Sequence, residues 1–353
     1  MSTRHESPEM LTNFARDILR AAGLPERAAG VTAESLVDAD RHGVASHGLI
    51  RLPIYVERLQ RGMVDPNAVP TVLTDGARAQ VDGHNAMGAF VASTAVDAAC
   101  SLAEDYGIGS STARHSNHCG TMGYYARRAA QRGNFVIAVS NAPVTMAYYG
   151  GRTPAVGTNP LAIAVPRPEG PPVVLDIASS AVARGKIIVA HSQGEAIPLG
   201  WALDSRGHPT TVAAEALKGT MLPFGGPKGS GVALMIDLLC GVLSGGPSGP
   251  GIGNMYEDWD RPQDLGHTFL VSRVDEALTR YGDELEEFLT WVRSLPPAEG
   301  CDAVLLPGDI EQAAAETSDR QGVPLAETTW TALNTLAESL DAEAIPNSPP
   351  PIQ

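Results

Sequence analysis

Two histidine-bearing stretches hold the side chains best suited to chemistry. In 39-ADRHGVASHGLIRLPIYVERL-59, Ser46, His47, Arg51 and Tyr55 stand close together. Proline is accepted in the first turn of a helix and poorly tolerated deeper, so Pro53 implies a helix starting near Leu49 or Ile50, with Ser46-His47-Gly48 as its entry. At the positive end of that helix the His47 imidazole would be biased toward its neutral form, able to accept a proton from a hydroxyl. Arg51 and Tyr55, four residues apart, share a helix face. A base, a forked cation and a hydroxyl together suit a small hydroxy or keto acid, the cation gripping its carboxylate. A capped helix start with solvated arginines would use the same residues.

The second stretch, 114-RHSNHCGTMGYYARRAAQRG-133, carries a strand into a polar turn with His115, Asn117 and His118, and Gly120 then releases the chain into a helix. Loops at strand ends are where α/β proteins place reactive groups. The stretch also supports a rival from another class, a metal-dependent hydrolase with His115, His118 and Cys119 as ligands. Their spacing is irregular and no carboxylate adjoins them, so no metal is assigned. A third group is glycine-rich: 150-GGRTPAVGTNPLAIAVP-166, 176-DIASS-180 and 223-PFGGPKGSG-231. Gly225, Gly226, Gly229 and Gly231 around Lys228 let backbone approach a ligand, and a helix beginning after Gly229 would offer N–H groups to an anion.

The elements that must position these groups can be read in outline. Ser7-Pro8-Glu9 starts a helix that Gly23 ends; Pro25-Glu26 starts a second, running to about Gly43; a third runs from Leu49 to Leu59. In the middle, 107–114, 134–142, 161–166 and 172–179 predict strands, with helices at about 87–104 and 121–132. A buried helix follows Gly229, then the Gly/Pro-rich linker 244–254. A strand is expected at 267–274, one or two helices over 275–295, a strand at 302–307, and closing helices near 309–320 and 326–341. The Pro-rich tail, 344–353, is expected to be flexible. This is an α/β (α+β) pattern, divided as a helical region 1–75 packing with 309–343, a central α/β region of 76–115 and 255–308, and a unit of 116–254.

At 353 residues the chain can bury a sizeable core. The longest apolar run, 231-GVALMIDLLCGVLSG-245, contains Asp237 and is shorter than the roughly 20 residues that cross a bilayer. A net charge of −15 disfavours nucleic acid and anionic membranes as partners. The four cysteines show no CxxC spacing, which excludes a disulfide framework, and the N-terminus lacks a secretory pattern, so a cytoplasmic protein is expected. Among nucleotide motifs, no P-loop, nucleophile elbow or GxGxxG turn in a strand-to-helix context is present.

Several motifs in order nevertheless resemble the malate/L-lactate dehydrogenase-like oxidoreductases, a non-Rossmann family: 41-RHGVASHGLIRL-52, 115-HSNHCG-120, 150-GG, 156-VGTNPLAIAVP-166, 175-LDIASS-180, 185-GK-186, 201-WALDSRGHPTT-211, 223-PFGGPKGSG-231 and 307-PGD-309. The resemblance implies NAD or NADP held on a mostly antiparallel sheet in the 116–254 unit, a homodimer, and exchange of a 2-hydroxy acid with its 2-oxo acid. Reduction of a cyclic imine or a sugar-derived keto acid is the alternative within the family. It implies His47 and His118 as proton donor/acceptors and Ser46, Arg51 and Tyr55 at the substrate. Cofactor contacts fall on Asn141, on Asp176, Ile177 and Ala178, on Lys228, and on Pro307, Gly308 and Asp309. The last position is usually Glu in the family; Asp is one methylene shorter.

Overall fold

A computed structural model of the chain describes residues 3–274 and 280–345. Strand β1 (Thr3–Glu6) precedes helices α1 (Pro8–Ala21) and α2 (Glu26–Arg41). The start of α1 is set as the sequence requires: Pro8 at the first position and Ser7 Oγ accepting the Met10 N–H at 3.1 Å. Two short 3₁₀ turns, Ala45–His47 and Leu49–Arg51, lead into α3 (Leu52–Gln60), whose first turn accommodates Pro53.

Strands β2 (Thr71–Asp75) and β3 (Arg78–Asp82) form a hairpin that periodicity did not reveal, because β2 is exposed throughout and lacks alternation. Helix α4 (Gly88–Tyr106) is followed by β4 (Ile108–Ser116), α5 (Met122–Ala130) and β5 (Asn134–Ser140). Then come β6 (Met146–Ala147), β7 (Pro154–Val156), β8 (Leu161–Val165), β9 (Val173–Ile177), α6 (Arg184–Gln193), β10 (Ala202–Leu203), α7 (Ala213–Lys218) and β11 (Thr220–Met221). Helix α8 (Pro227–Asp237) runs on into a π-helical turn at Leu238–Val242. The chain ends with β12 (Leu265–Arg273), α9 (Tyr281–Arg293), α10 (Asp309–Gln321), β13 (Val323–Ala326) and α11 (Glu327–Ser339).

One seven-stranded sheet, in the order β2-β3-β4-β12-β5-β8-β9, organises the molecule. It is antiparallel at every pairing except β3 with β4, so the mostly antiparallel sheet is present. It runs unbroken across residue 116, where the sequence placed a boundary. A second, alanine-rich core around Met146, Ile187, Ala202, Ala216 and Ala233 marks a smaller unit built on the sheet β10-β11-β6-β7. The chain's two ends pack together: β1 pairs with β13, and Arg41 grips Asp319 through two bonds of 2.6 Å. No strand forms at 302–307. That segment is largely exposed and meets its neighbour β9 through one backbone bond, Val174 N–H to Pro307 O at 3.3 Å. Of the expected tail, 346–353 lie outside the described residues, as do 275–279 of the helical segment.

Candidate active site

The entry turn after α2 is held by a buried acid. Asp40, 4% exposed, accepts the Leu49 N–H at 2.7 Å, and burial pushes its carboxyl up to about 7. Gly48 lies so close that a β-carbon there would stand 2.0 Å from Asp40 Oδ1. Gly48→Ala is therefore expected to push Asp40 off Leu49, cost about 1–3 kcal/mol of stability and lower turnover, both checked by thermal melting and steady-state kinetics.

Five side chains converge beyond this turn: Ser46, His47, Arg51, Tyr55 and His118. Arg51 Nε–H donates to the Ser46 carbonyl at 2.7 Å, while Ser46 Oγ lies 2.9 Å from His47 Nδ1. The His47 and His118 rings are near-parallel, their centres 5.6 Å apart, and Tyr55 Oη lies 2.6 Å from His118 Nδ1. His47 is partly exposed, yet burial of its ring and then the Arg51 charge lower it to about 4. The neutral imidazole expected from a helix terminus is thus present for a different reason. His118 is also held well below the ordinary imidazole range, chiefly by burial and then by His47 and Arg51. Burial raises the Tyr55 phenol, so it stays protonated and donates to His118 Nδ1. The Gly120 N–H points at the same nitrogen from 3.4 Å. Two donors on Nδ1 place the ring proton of neutral His118 on Nε2.

The base of the site was not visible in the sequence. His267 on the central strand β12 is fully buried, with Nδ1 2.9 Å from Ser140 Oγ and Nε2 2.7 Å from Ser116 Oγ. It links the ends of β5 and β4, the strands that lead into Asn141 and His118. Gln263, just before β12, accepts the His118 backbone N–H at 3.1 Å. A titratable side chain in the apolar inward series Leu265, Phe269, Val271 was the available signal for His267.

The segments expected to face a cofactor also meet. Asp176, at the end of β9, accepts the Gly123 N–H at 2.9 Å at the start of α5. Ile177 and Ala178 follow on the same strand end, and Pro307-Gly308 abuts β9, where a Gly308 β-carbon would stand 2.9 Å from the Val174 carbonyl. Asp309 is engaged locally: its carboxylate accepts from Leu306 N–H at 2.8 Å and from Arg293 at 2.7 Å. Asn141 is buried, its Oδ1 accepting Gly266 N–H and its Nδ2 donating to Pro247 O. Lys228 is exposed in the first turn of α8, which begins at Pro227 and not after Gly229. The N–H groups of Lys228, Gly229 and Ser230 already bond the carbonyls of Gly225, Phe224 and Gly226, so the expected anion cradle at Gly229 is closed.

These surfaces fit a nicotinamide cofactor in their polar groups. Buried Thr121 Oγ1 and Ser179 Oγ have no hydrogen-bond partner among the described residues, and both lie on the segments that Asp176 and Gly123 bring together. The residues of the hydrolase alternative diverge instead. His115 turns to Asp82 at 2.9 Å, His118 to Tyr55, and Cys119 toward Met122 and His267. No group of three or more His, Cys, Asp or Glu is placed to hold a metal ion among the described residues.

The malate/L-lactate dehydrogenase family matches residues 7–334. A (2R)-3-sulfolactate dehydrogenase (NADP(+)) from Chromohalobacter salexigens is 40% identical over 253 residues, 72% of this chain and 76% of that protein. An L-lactate dehydrogenase from Cupriavidus necator is 37% identical over 349 residues, 95% of this chain and 97% of that protein. The solved sulfolactate dehydrogenase of Methanocaldococcus jannaschii superposes with a TM-score of 0.90 at 32% identity, covering 97% of this chain and 98% of the other. The chain belongs to the malate/L-lactate dehydrogenase family. That is the oxidoreductase expected from its motifs, and the hydrolase reading is left without support.

Proposed function

We propose that the chain is an NAD(P)-dependent dehydrogenase interconverting a small 2-hydroxy acid and its 2-oxo acid. The observation that carries this reading is the convergence of Arg51, His47 and the Tyr55-bonded His118 in one partly enclosed cluster. Arg51 grips the substrate carboxylate through its terminal nitrogens, Nε being held by Ser46. With Nδ1–H donated to Ser46 Oγ, His47 presents Nε2 as the acceptor for the hydroxyl proton, and His118 offers Nε2–H as a hydrogen-bond donor to the same oxygen. A carboxylate on Arg51 offsets the charge that depresses His47, raising its basicity when substrate is bound.

The cofactor, when bound, supplies the hydride acceptor or donor. Asp176, Ile177 and Ala178, Lys228 and the Pro307-Gly308-Asp309 turn would hold it, with Thr121 and Ser179 as further polar contacts; Asn141 would shape the pocket through its backbone. Titration with NADH and with NADPH, followed by nicotinamide fluorescence, tests the reading, and a panel of 2-oxo acids plus a cyclic imino acid is then added. Saturable binding and oxidation triggered by one acid are expected. Absence of binding by both cofactors would remove it.

A cytoplasmic homodimer belongs to the same proposal. Three of the four free cysteines are buried and unpaired, as suits a reducing compartment. Leu234, Met235, Leu238, Val242 and Leu243 leave an exposed apolar stripe along α8 and the π-helical turn, which a second copy would cover. Light scattering is expected to give twice the chain mass, and Met235→Glu with Val242→Glu to give the monomer.

A further inference from the structure

The segment 254–263 touches the site at two points, His118 and Arg51. Its ends meet, Gly253 N–H bonding the Gln263 carbonyl at 2.9 Å, and Asn254 and Asp258 knit its interior through Asn254 N–H to Asp258 Oδ2 and Tyr256 N–H to Asn254 Oδ1, both 2.9 Å. At one end Gln263 holds the His118 backbone. Near the other, the Tyr256 ring centre lies 5.7 Å from the Arg51 guanidinium, within cation–π range. The anchor is Arg58, on the helix of Tyr55 and only 1% exposed, which donates through Nη1 to the carbonyls of Met255 and Asp258 at 3.0 Å each. Among the described residues its Nε and Nη2 have no hydrogen-bond partner, an expensive arrangement for a buried guanidinium. Such a burden is hard to account for by packing alone and natural if the segment must be held in one place.

The neighbouring cations are all committed elsewhere. Arg58 faces loop carbonyls and the Trp259 ring, Arg61 pairs with Glu57 and stacks on Trp259, and Arg261 bonds Asp258. Arg51 is left as the cation beside the two histidines, and its terminal nitrogens match one carboxylate. A second anion on the substrate, whether a carboxylate or a sulfonate, would meet the half-exposed Tyr256 ring instead of a cation.

We infer that Tyr256, held over Arg51 by the Arg58-anchored segment, is the specificity-determining residue, and that the chain prefers 2-oxo acids carrying a single negative charge and an uncharged side chain. This rests on the dehydrogenase reading above. It is tested on the full-length protein with its cofactor by comparing kcat/KM for pyruvate and 2-oxobutyrate with that for oxaloacetate and sulfopyruvate. The wild type is expected to favour the monoanions about tenfold or more, the scale set by one charge contact. Tyr256→Phe is expected to keep that ratio, and Tyr256→Arg to move it toward the dianions by a similar factor, mainly through KM. Tyr256 is exposed, so its variants are expected to melt like the wild type. A wild-type preference for the dianions overturns the inference. So does a ratio that stays fixed in both Tyr256→Arg and Tyr256→Ala, since that would make the ring structural only. Failure of the wild type to reduce any 2-oxo acid is a different result and counts against the dehydrogenase reading itself.

Discussion

His47→Ala is expected to lower kcat for 2-hydroxy acid oxidation by about 10²–10⁴, the range for losing a positioned acid–base group. The pH dependence makes the assignment specific. In the free protein His47 is lowered to about 4 by burial and by Arg51, so it is already a neutral base at neutral pH. kcat/KM for oxidation should therefore rise with pH through about 4 and be level well before neutrality, and His47→Ala should lose that limb. Glutamine separates the two histidines. An amide cannot take up the hydroxyl proton, so His47→Gln should be as poor as His47→Ala. An amide can still donate a hydrogen bond, so His118→Gln should keep more activity than His118→Ala. Tyr55→Phe removes one of the two donors that fix the His118 tautomer and is expected to cost roughly tenfold, the scale of one hydrogen bond. If His118→Gln and His47→Gln exchange places in this ranking, the two roles are reversed.

How far these residues were legible depends on how local their signals are. Ser46, His47, Arg51 and Tyr55 share one turn and one helix face, and His118 lies at a strand end, so residue type and spacing were enough to pick them out. Long, regular elements were equally plain: α1, α2, α4 and the strands β4, β5, β8, β9 and β12 of the large sheet follow capping residues and apolar runs. The two-residue strands β6, β10 and β11 are too short to carry a period, and tertiary pairing alone defines them. The expected start of helix α8, after Gly229, is three residues late, because the glycines around Lys228 obscure Pro227, a first-turn residue. What could not be read was the support beneath the site. Asp40 reaches Leu49 across nine residues, Gln263 reaches His118 across 145, and His267 reaches Ser116 across 151. Sequence shows each of these as a polar residue with no partner nearby along the chain; only the fold gives it one.

Two of those supports carry opposite pH dependences, which lets each be tested alone. Asp40 rises from 3.8 to about 7 on folding, so between those values the folded chain holds a proton that the unfolded chain has released. Stability from this group is therefore lost as pH rises through that window and stays lost above it. Asp40→Asn keeps an acceptor for Leu49 and removes the charge. It should gain on the wild type with rising pH, by up to roughly 4 kcal/mol above pH 7, the linkage limit for a shift to about 7. His267 moves the other way. Lowered from 6.5 to about 4 by burial, it stays neutral in the fold while the unfolded chain takes up a proton. Stability from it is lost as pH falls from 6.5 to 4, by up to roughly 3 kcal/mol. His267→Gln cannot be protonated, so its deficit against the wild type, largest at pH 7.5, should shrink toward pH 4.5. The measurement is the urea midpoint of all three proteins at pH 4.5, 5.5, 6.5 and 7.5. Because the two effects cancel in part, a flat wild-type profile decides nothing by itself, whereas the two difference curves must slope in opposite directions with pH: Asp40→Asn becoming more stable than the wild type as pH rises, and His267→Gln falling further below it. Parallel, level difference curves would mean that neither group changes its affinity for protons on folding, and that the site rests on packing alone.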